Sequence, residues 1–342
     1  MKKLLMALIP AGLLAASLAM AAEPVKIGMV TTLSTKAGYL GEEIRDGFKL
    51  AIAQENGTLG GVPVELIVED DEAKPEKGKQ LAGKGCHPNY FSVAYQNDNP
   101  DEVVGQYVTE AGHKTTYLLA PNYPAGKDHL AGFKRYYKGQ IAAEVYTKLD
   151  QSDYAAEIAA IRAAKPEAVY FFLPGGMGIN FVKQYSQAGL IGTIPLYGPA
   201  FSFDERILKA VGAAALGVKN GSHWAHDLDN PANRQFVAAY RQVYGNTPTL
   251  YASQGYDTAR LLAGALKAVG GDLTRIDEFR AALKKAEFES TRGNFAFGNN
   301  QHPIHDMYIR EVIKTPSGDY TNKTVKKVFT NHVDAFAGEC AM

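Results

Sequence analysis

Along most of the chain one pattern repeats: a short run of β-branched and aromatic residues, a turn bearing Gly or Pro, then an amphipathic helical stretch. This alternation constrains the fold strongly, because a strand returning parallel to its neighbour needs a crossover over one face of the sheet. Strands are predicted at 25–32, 64–69, 115–120, 168–173 and 194–197, with a loop at 33–41 and a helix at 42–55. Ile44, Phe48, Leu50, Ala51 and Ile52 form the apolar stripe of that helix. Further helices are predicted to begin near Gly126, Gly178 and Asp204. The class is therefore α/β, with mostly parallel sheets flanked by helices. At 342 residues and 46% hydrophobic composition, the chain is too long for one ordinary core, and two domains are expected.

In such sheets a ligand sits beyond the carboxyl ends of the strands, so the turns there are where binding residues are sought. Four turns share a character: Gly38-Tyr39, Pro121-Asn122-Tyr123, Pro174-Gly175-Gly176-Met177 and Gly198-Pro199-Ala200-Phe201. They are aromatic, amide-bearing and poor in charge, which suits a small, partly apolar ligand.

Other chemistries are disfavoured. With 36 Lys+Arg against 36 Asp+Glu, the chain lacks the basic excess that nucleic-acid binding draws on. No nucleophile elbow, zinc-binding H-E-x-x-H helix or phosphate loop occurs, and Ala125-Gly126-Lys127-Asp128 lacks the upstream Gly and following Ser/Thr of the last. Gly175-Gly176-Met177-Gly178 precedes a helix, yet Phe181 stands where a dinucleotide loop needs its third glycine, so no cofactor is expected. His223 with His226, and His302 with His305, are three residues apart, but no completing ligands follow at metal-site spacing. Asp70-Asp71-Glu72 reads as an acidic loop before a helix.

Lys2 and Lys3, the apolar run 4–20 and the small residues around Met20 read as a cleavable signal peptide, cut after Ala21 or Ala22. Its removal leaves 34 bases against 36 acids, a formal charge of −2. No cysteine stands at the cleavage region to take a lipid, so a soluble exported protein is expected. In an oxidising compartment Cys86 and Cys340 are candidates for a disulfide, with two buried thiols as the alternative.

The runs VKIGMVTTLS, EEIRDGFKLAIAQENG and VPVELIVEDDEAKPEKG, followed by YFSVAYQND, YLLAPNYPAGKD, AVYFFLPGGMGINFVKQYSQAG, PLYGPAFSFDE and QGYDTARLLAGAL, carry a resemblance over nearly all of the mature chain. Together they resemble the ABC-importer periplasmic binding proteins of the leucine/isoleucine/valine-binding type, in wording most similar to the subgroup associated with aromatic acids. The resemblance implies a two-lobed type I fold: a first lobe of 23–113 plus 248–300, and a second of 114–247 plus 301–342. A monomer would close its lobes on a small carboxylate, aromatic acid or hydrophobic amino acid, and deliver it to membrane permease and ATPase subunits. It places Gly38 and Tyr39 in the first ligand loop, Tyr123, Gly176 and Met177 in second-lobe loops, and Tyr256 near the hinge. Phe201 falls where amino-acid binders often hold an acid for the ligand ammonium, which disfavours a zwitterion unless Asp257 or Asp98 replaces it. The resemblance also breaks between Lys79 and Gly83: about one strand-helix-strand unit, roughly 30 residues, is absent. The first lobe is then expected to lack two strands and the loops that hold the ligand carboxylate. A ligand sensor for a signalling partner and an inactive deletion variant are the alternatives to an importer component, and an enzyme on a related scaffold ranks last.

Overall fold

The structure, a computed structural model, describes residues 23–34, 38–70 and 83–342. The signal-peptide stretch and the junction at Gln80-Leu81 lie outside the described residues.

Two sheets organise the chain. The smaller begins with β1 (Val25–Thr31), followed by helix α1 (Gly38–Gln54), the short β2 (Thr58–Leu59) and β3 (Val62–Asp70). β1 and β3 run parallel, from Val25 beside Val64 to Thr31 beside Asp70, and β2 pairs antiparallel with β3. The strand order is β1-β3-β2. Between β3 and α2 (Asn99–Glu110) the described residues contain no strand.

The larger sheet follows: β4 (Thr115–Pro121), α3 (Pro124–Tyr136), β5 (Gln140–Thr147), α4 (Ala155–Ala164), β6 (Ala168–Phe171), α5 (Gly176–Gln187), β7 (Leu196–Pro199), α6 (Glu205–Val211) and β8 (Lys219–Ser222). Three helices come next, α7 (Pro231–Tyr244), α8 (Leu250–Val269) and α9 (Ile276–Lys285), before β9 (Phe295–Phe297), β10 (Pro303–Lys314) and β11 (Tyr320–His332). The order is β11-β10-β8-β7-β6-β4-β5, parallel from β8 to β5 and closed by an antiparallel hairpin, with β9 paired on β10.

β4 and β6 read as unbroken apolar runs because both their faces are covered. Tyr117, Leu119, Val169 and Phe171 point to one core with Phe181, Val182 and Tyr185 of α5. Leu118, Ala120, Ala168 and Tyr170 point to the other, with Val103, Val104 and Val108 of α2 and Phe133 of α3. The smaller sheet has a single core, where Val25, Ile27, Met29, Val64 and Leu66 meet Phe48, Ala51, Tyr256 and Ala259. Its helices cross closely at two glycines: a Cβ on Gly47 would stand 2.0 Å from the Ala252 carbonyl oxygen, and one on Gly255 2.0 Å from that of Ile44.

Two helices sit on the other side of the expected division. α2, placed by sequence with the first lobe, packs on the larger sheet. α7, placed with the second, packs through Phe236, Val237 and Tyr240 against α1 and α8, and the Tyr240 and Tyr244 hydroxyls donate to the Glu43 carboxylate and the Asp46 carbonyl. Apolar burial explains both, since each helix turns its stripe to a neighbour's core. Cys86 and Cys340, 254 residues apart in sequence, are joined by a disulfide with Cα atoms 5.8 Å apart.

Candidate ligand site between the two sheets

α1 starts at Gly38, a turn earlier than the sequence predicts. A Cβ on Gly38 would meet the Leu33 carbonyl oxygen at 2.4 Å, and one on Gly41 that of Thr32 at 1.9 Å, so the two glycines let the first turn lie on the backbone leaving β1. Tyr39 is thereby fixed in the first helical turn, with its ring against the core of the larger sheet. Arg206 of α6 reaches it from that sheet: its guanidinium stands 5.6 Å from the Tyr39 ring centroid and donates to the Tyr39 carbonyl at 3.3 Å. The same guanidinium pairs with Glu42 at 3.3 Å and Glu43 at 3.9 Å. One arginine thus clasps the start of α1 from across the cleft.

Phe201, in the short turn after β7, packs on the cores of both sheets. Its ring lies edge-on to His129 at 5.5 Å and to Phe172 at 5.6 Å. His129 stacks on Phe172 at 3.7 Å, and Tyr123, the residue capping α3, stacks on the same phenylalanine at 6.2 Å. The strand ends of β4, β6 and β7, with His129 of α3, thus carry a continuous aromatic wall whose His129 and Phe172 are almost fully buried. Behind it the buried Asp101 carboxylate accepts from the Tyr170 hydroxyl and pairs with His129 Nδ1, and burial raises its pKa to about 6.

Asp204, three residues beyond Phe201, was predicted only as a helix start. It does cap α6, where Oδ1 accepts from the Arg206 and Ile207 amides at 3.0 and 2.9 Å. Its second oxygen, Oδ2, is buried and has no hydrogen-bond partner among the described residues. Burial raises the Asp204 pKa to about 7, with further upward pushes from Glu205 and Glu43. Burial raises the hydroxyl pKa values of Tyr39, Tyr95 and Tyr251, with a smaller upward push from the Asp204 carboxylate. A buried oxygen without a donor is suited to receive a donor group. The only advance signal was a carboxylate in the same turn as Phe201.

Other sequence candidates sit elsewhere. Met177 is buried in the core under α5, and a Cβ on Gly176 would meet nothing within 4 Å. Tyr256 faces away from the strand ends: its hydroxyl donates to Gln54 at the far end of α1, beside a hollow of about 160 Å³ lined by Glu55 and Arg260. Asp257 accepts from the Ser290 hydroxyl at 2.6 Å and the Thr291 amide at 2.9 Å, with Arg292 Nε at 3.7 Å. Asp98 is held by Arg135 at 2.9 Å. Both acids offered as ammonium partners are therefore already engaged, whereas Asp204 Oδ2 is not.

A family model described as "Periplasmic binding protein" matches residues 24–84 and 78–318. The two matched pieces meet where the sequence reading puts the missing unit. Among curated proteins, "Leu/Ile/Val-binding protein homolog 6" of Brucella melitensis is 26% identical over 384 residues, covering 95% of this chain and 97% of its own. That span exceeds the 342 residues here, so the relative carries residues without a counterpart. Among solved structures, an ABC-transporter solute-binding protein from R. palustris in complex with benzoate has a TM-score of 0.83 at 27% identity, covering 93% of this chain and 100% of that one. An ABC-transporter substrate-binding protein from Sphaerobacter thermophilus has a TM-score of 0.84 at 28% identity, covering 90% and 99%.

Proposed function

Because this chain belongs to the periplasmic binding protein family, with its type I fold, we propose that it captures a small aromatic carboxylate between its two sheets for an ABC importer. Solute-binding proteins of this family hold a ligand without transforming it. The smaller lobe comprises β1–β3 with α1, α7, α8 and α9; the larger comprises the other sheet with α2 to α6. The observation that carries the reading is the wall of Tyr123, His129, Phe172 and Phe201, which suits a flat ring better than a branched aliphatic chain. The benzoate held by the R. palustris relative supports the same class. The amides opening α1 suit a carboxylate, and Arg206 would too if the ligand displaced Glu42 and Glu43 from its guanidinium. Export through the stretch 1–22 and delivery to permease and ATPase subunits complete the role, and mass spectrometry of the mature N-terminus checks the cleavage.

Calorimetry with benzoate, 4-hydroxybenzoate, leucine, isoleucine and valine tests the ligand class. Binding of an aromatic acid alone is expected. One observation favours a second reading: Asp204 Oδ2 is free to pair an ammonium, as a branched-chain amino acid would require. Binding of the amino acids alone would establish it in place of the first. Absence of importer genes beside this one would favour a sensor.

A further inference from the structure

We propose that the free edge of β1 pairs antiparallel with β1 of a second copy, about a two-fold axis at Gly28, to form a weak dimer. This goes beyond the transport reading and does not depend on it.

β1 has β3 as its sole strand partner among the described residues, and those residues leave the backbone groups of its opposite edge unpaired. The inner face of β1 is unfinished as well. Val25, Ile27 and Met29 are only partly buried, although each points at the core of α1 and α8. On the outer face Val30 is 72% exposed, and a Cβ on Gly28 would meet nothing within 4 Å. Strand addition would supply the missing hydrogen bonds and complete the cover of those three side chains.

The sequence of β1 complements itself in this register. With Gly28 facing Gly28, Ile27 meets Met29 of the second copy on the inner face, apolar against apolar. On the outer face Lys26 meets Val30, so no like charges stand opposite one another. Lys26 also keeps its own Glu65 beside it, and Glu69 flanks the Val30 it faces. A lysine of the kind that guards a sheet edge is thus accommodated rather than repelled. Other pairings lose this: a shift that sets Lys26 against Lys26 opposes two ammonium groups. A seven-residue edge falls short of the roughly 1,000 Å² typical of a stable interface, so association in the micromolar range is expected.

Sedimentation equilibrium of the mature protein is expected to show a monomer–dimer equilibrium. Val30→Lys sets a lysine beside its own Glu69, which the monomer tolerates, and opposite Lys26 of the second copy. It is expected to weaken the dimer about tenfold or more, equivalent to at least ~1.4 kcal/mol, with an unchanged melting curve. Under mild oxidation Gly28→Cys is expected to cross-link to itself and Val30→Cys is not, since only position 28 lies on the axis and the native cysteines are already bonded. A wild-type monomer at about 100 μM, whatever else binds the edge, would overturn the proposal. Equal cross-linking at positions 28 and 30 would overturn the register.

Discussion

Asp204 and Asp257 are both buried acids near the junction of the sheets, and their surroundings separate them. Asp257 spends its oxygens on Ser290, Thr291 and the buried Arg292. Replacing it with alanine strands that guanidinium, and a loss of about 3–5 kcal/mol in urea unfolding is expected. Asp204 has an unmet oxygen and a pKa raised from 3.8 to about 7. A carboxyl raised in the folded state binds more protons there than when unfolded, so stability falls as pH rises from about 4 to 7. Asp204→Asn removes that cost, at most about 4 kcal/mol at neutral pH, and flattens this part of the pH dependence. Urea midpoints at pH 5 and pH 8 measure both effects. The same variant should abolish binding of an amino-acid ligand while leaving benzoate binding within a few-fold. Neither role was legible in sequence, because Asp257 is explained by a loop over thirty residues away and Asp204 looks like any helix cap.

α6 and α1 meet through Arg206, a polar clasp between the lobes. Arg206→Ala is expected to favour the open form: a larger radius of gyration by small-angle scattering without ligand, and affinity for the preferred acid lowered about tenfold. An unchanged scattering profile would remove the clasp from the closing mechanism. Elements with strong apolar runs, β1, β3, β4 and β6, were visible in sequence to within a few residues. The hairpin of β10 and β11 was not, because β11 is rich in Lys, Thr and Asn and takes its stability from pairing with β10 rather than from an apolar face of its own. α2 and α7 were not predicted as helices, and the lobe ranges that the resemblance implied could not say which sheet their stripes of valines or aromatics would cover.

The disulfide and the small sheet act on the whole molecule in opposite directions. A bridge closing 254 residues removes chain entropy from the unfolded state, up to about 5 kcal/mol, so reduction should lower the melting temperature clearly. Among the described residues nothing covers the outer face of β1 and β3, and Val30 and Ile67 are exposed where a parallel sheet normally carries a second helical layer. A unit of about 30 residues inserted between Gln80 and Leu81 would add strands to the edge of β1 and a helix over its bare face. Three effects are then expected together: a higher unfolding midpoint, loss of concentration-dependent association because the edge is occupied, and tighter binding of the preferred acid because new loops supply hydrogen-bond donors. Calorimetry and sedimentation on the inserted chain, beside the natural one, check them. Tighter binding with unchanged association would mean that the insert built the site without covering β1, and the edge would then need another explanation.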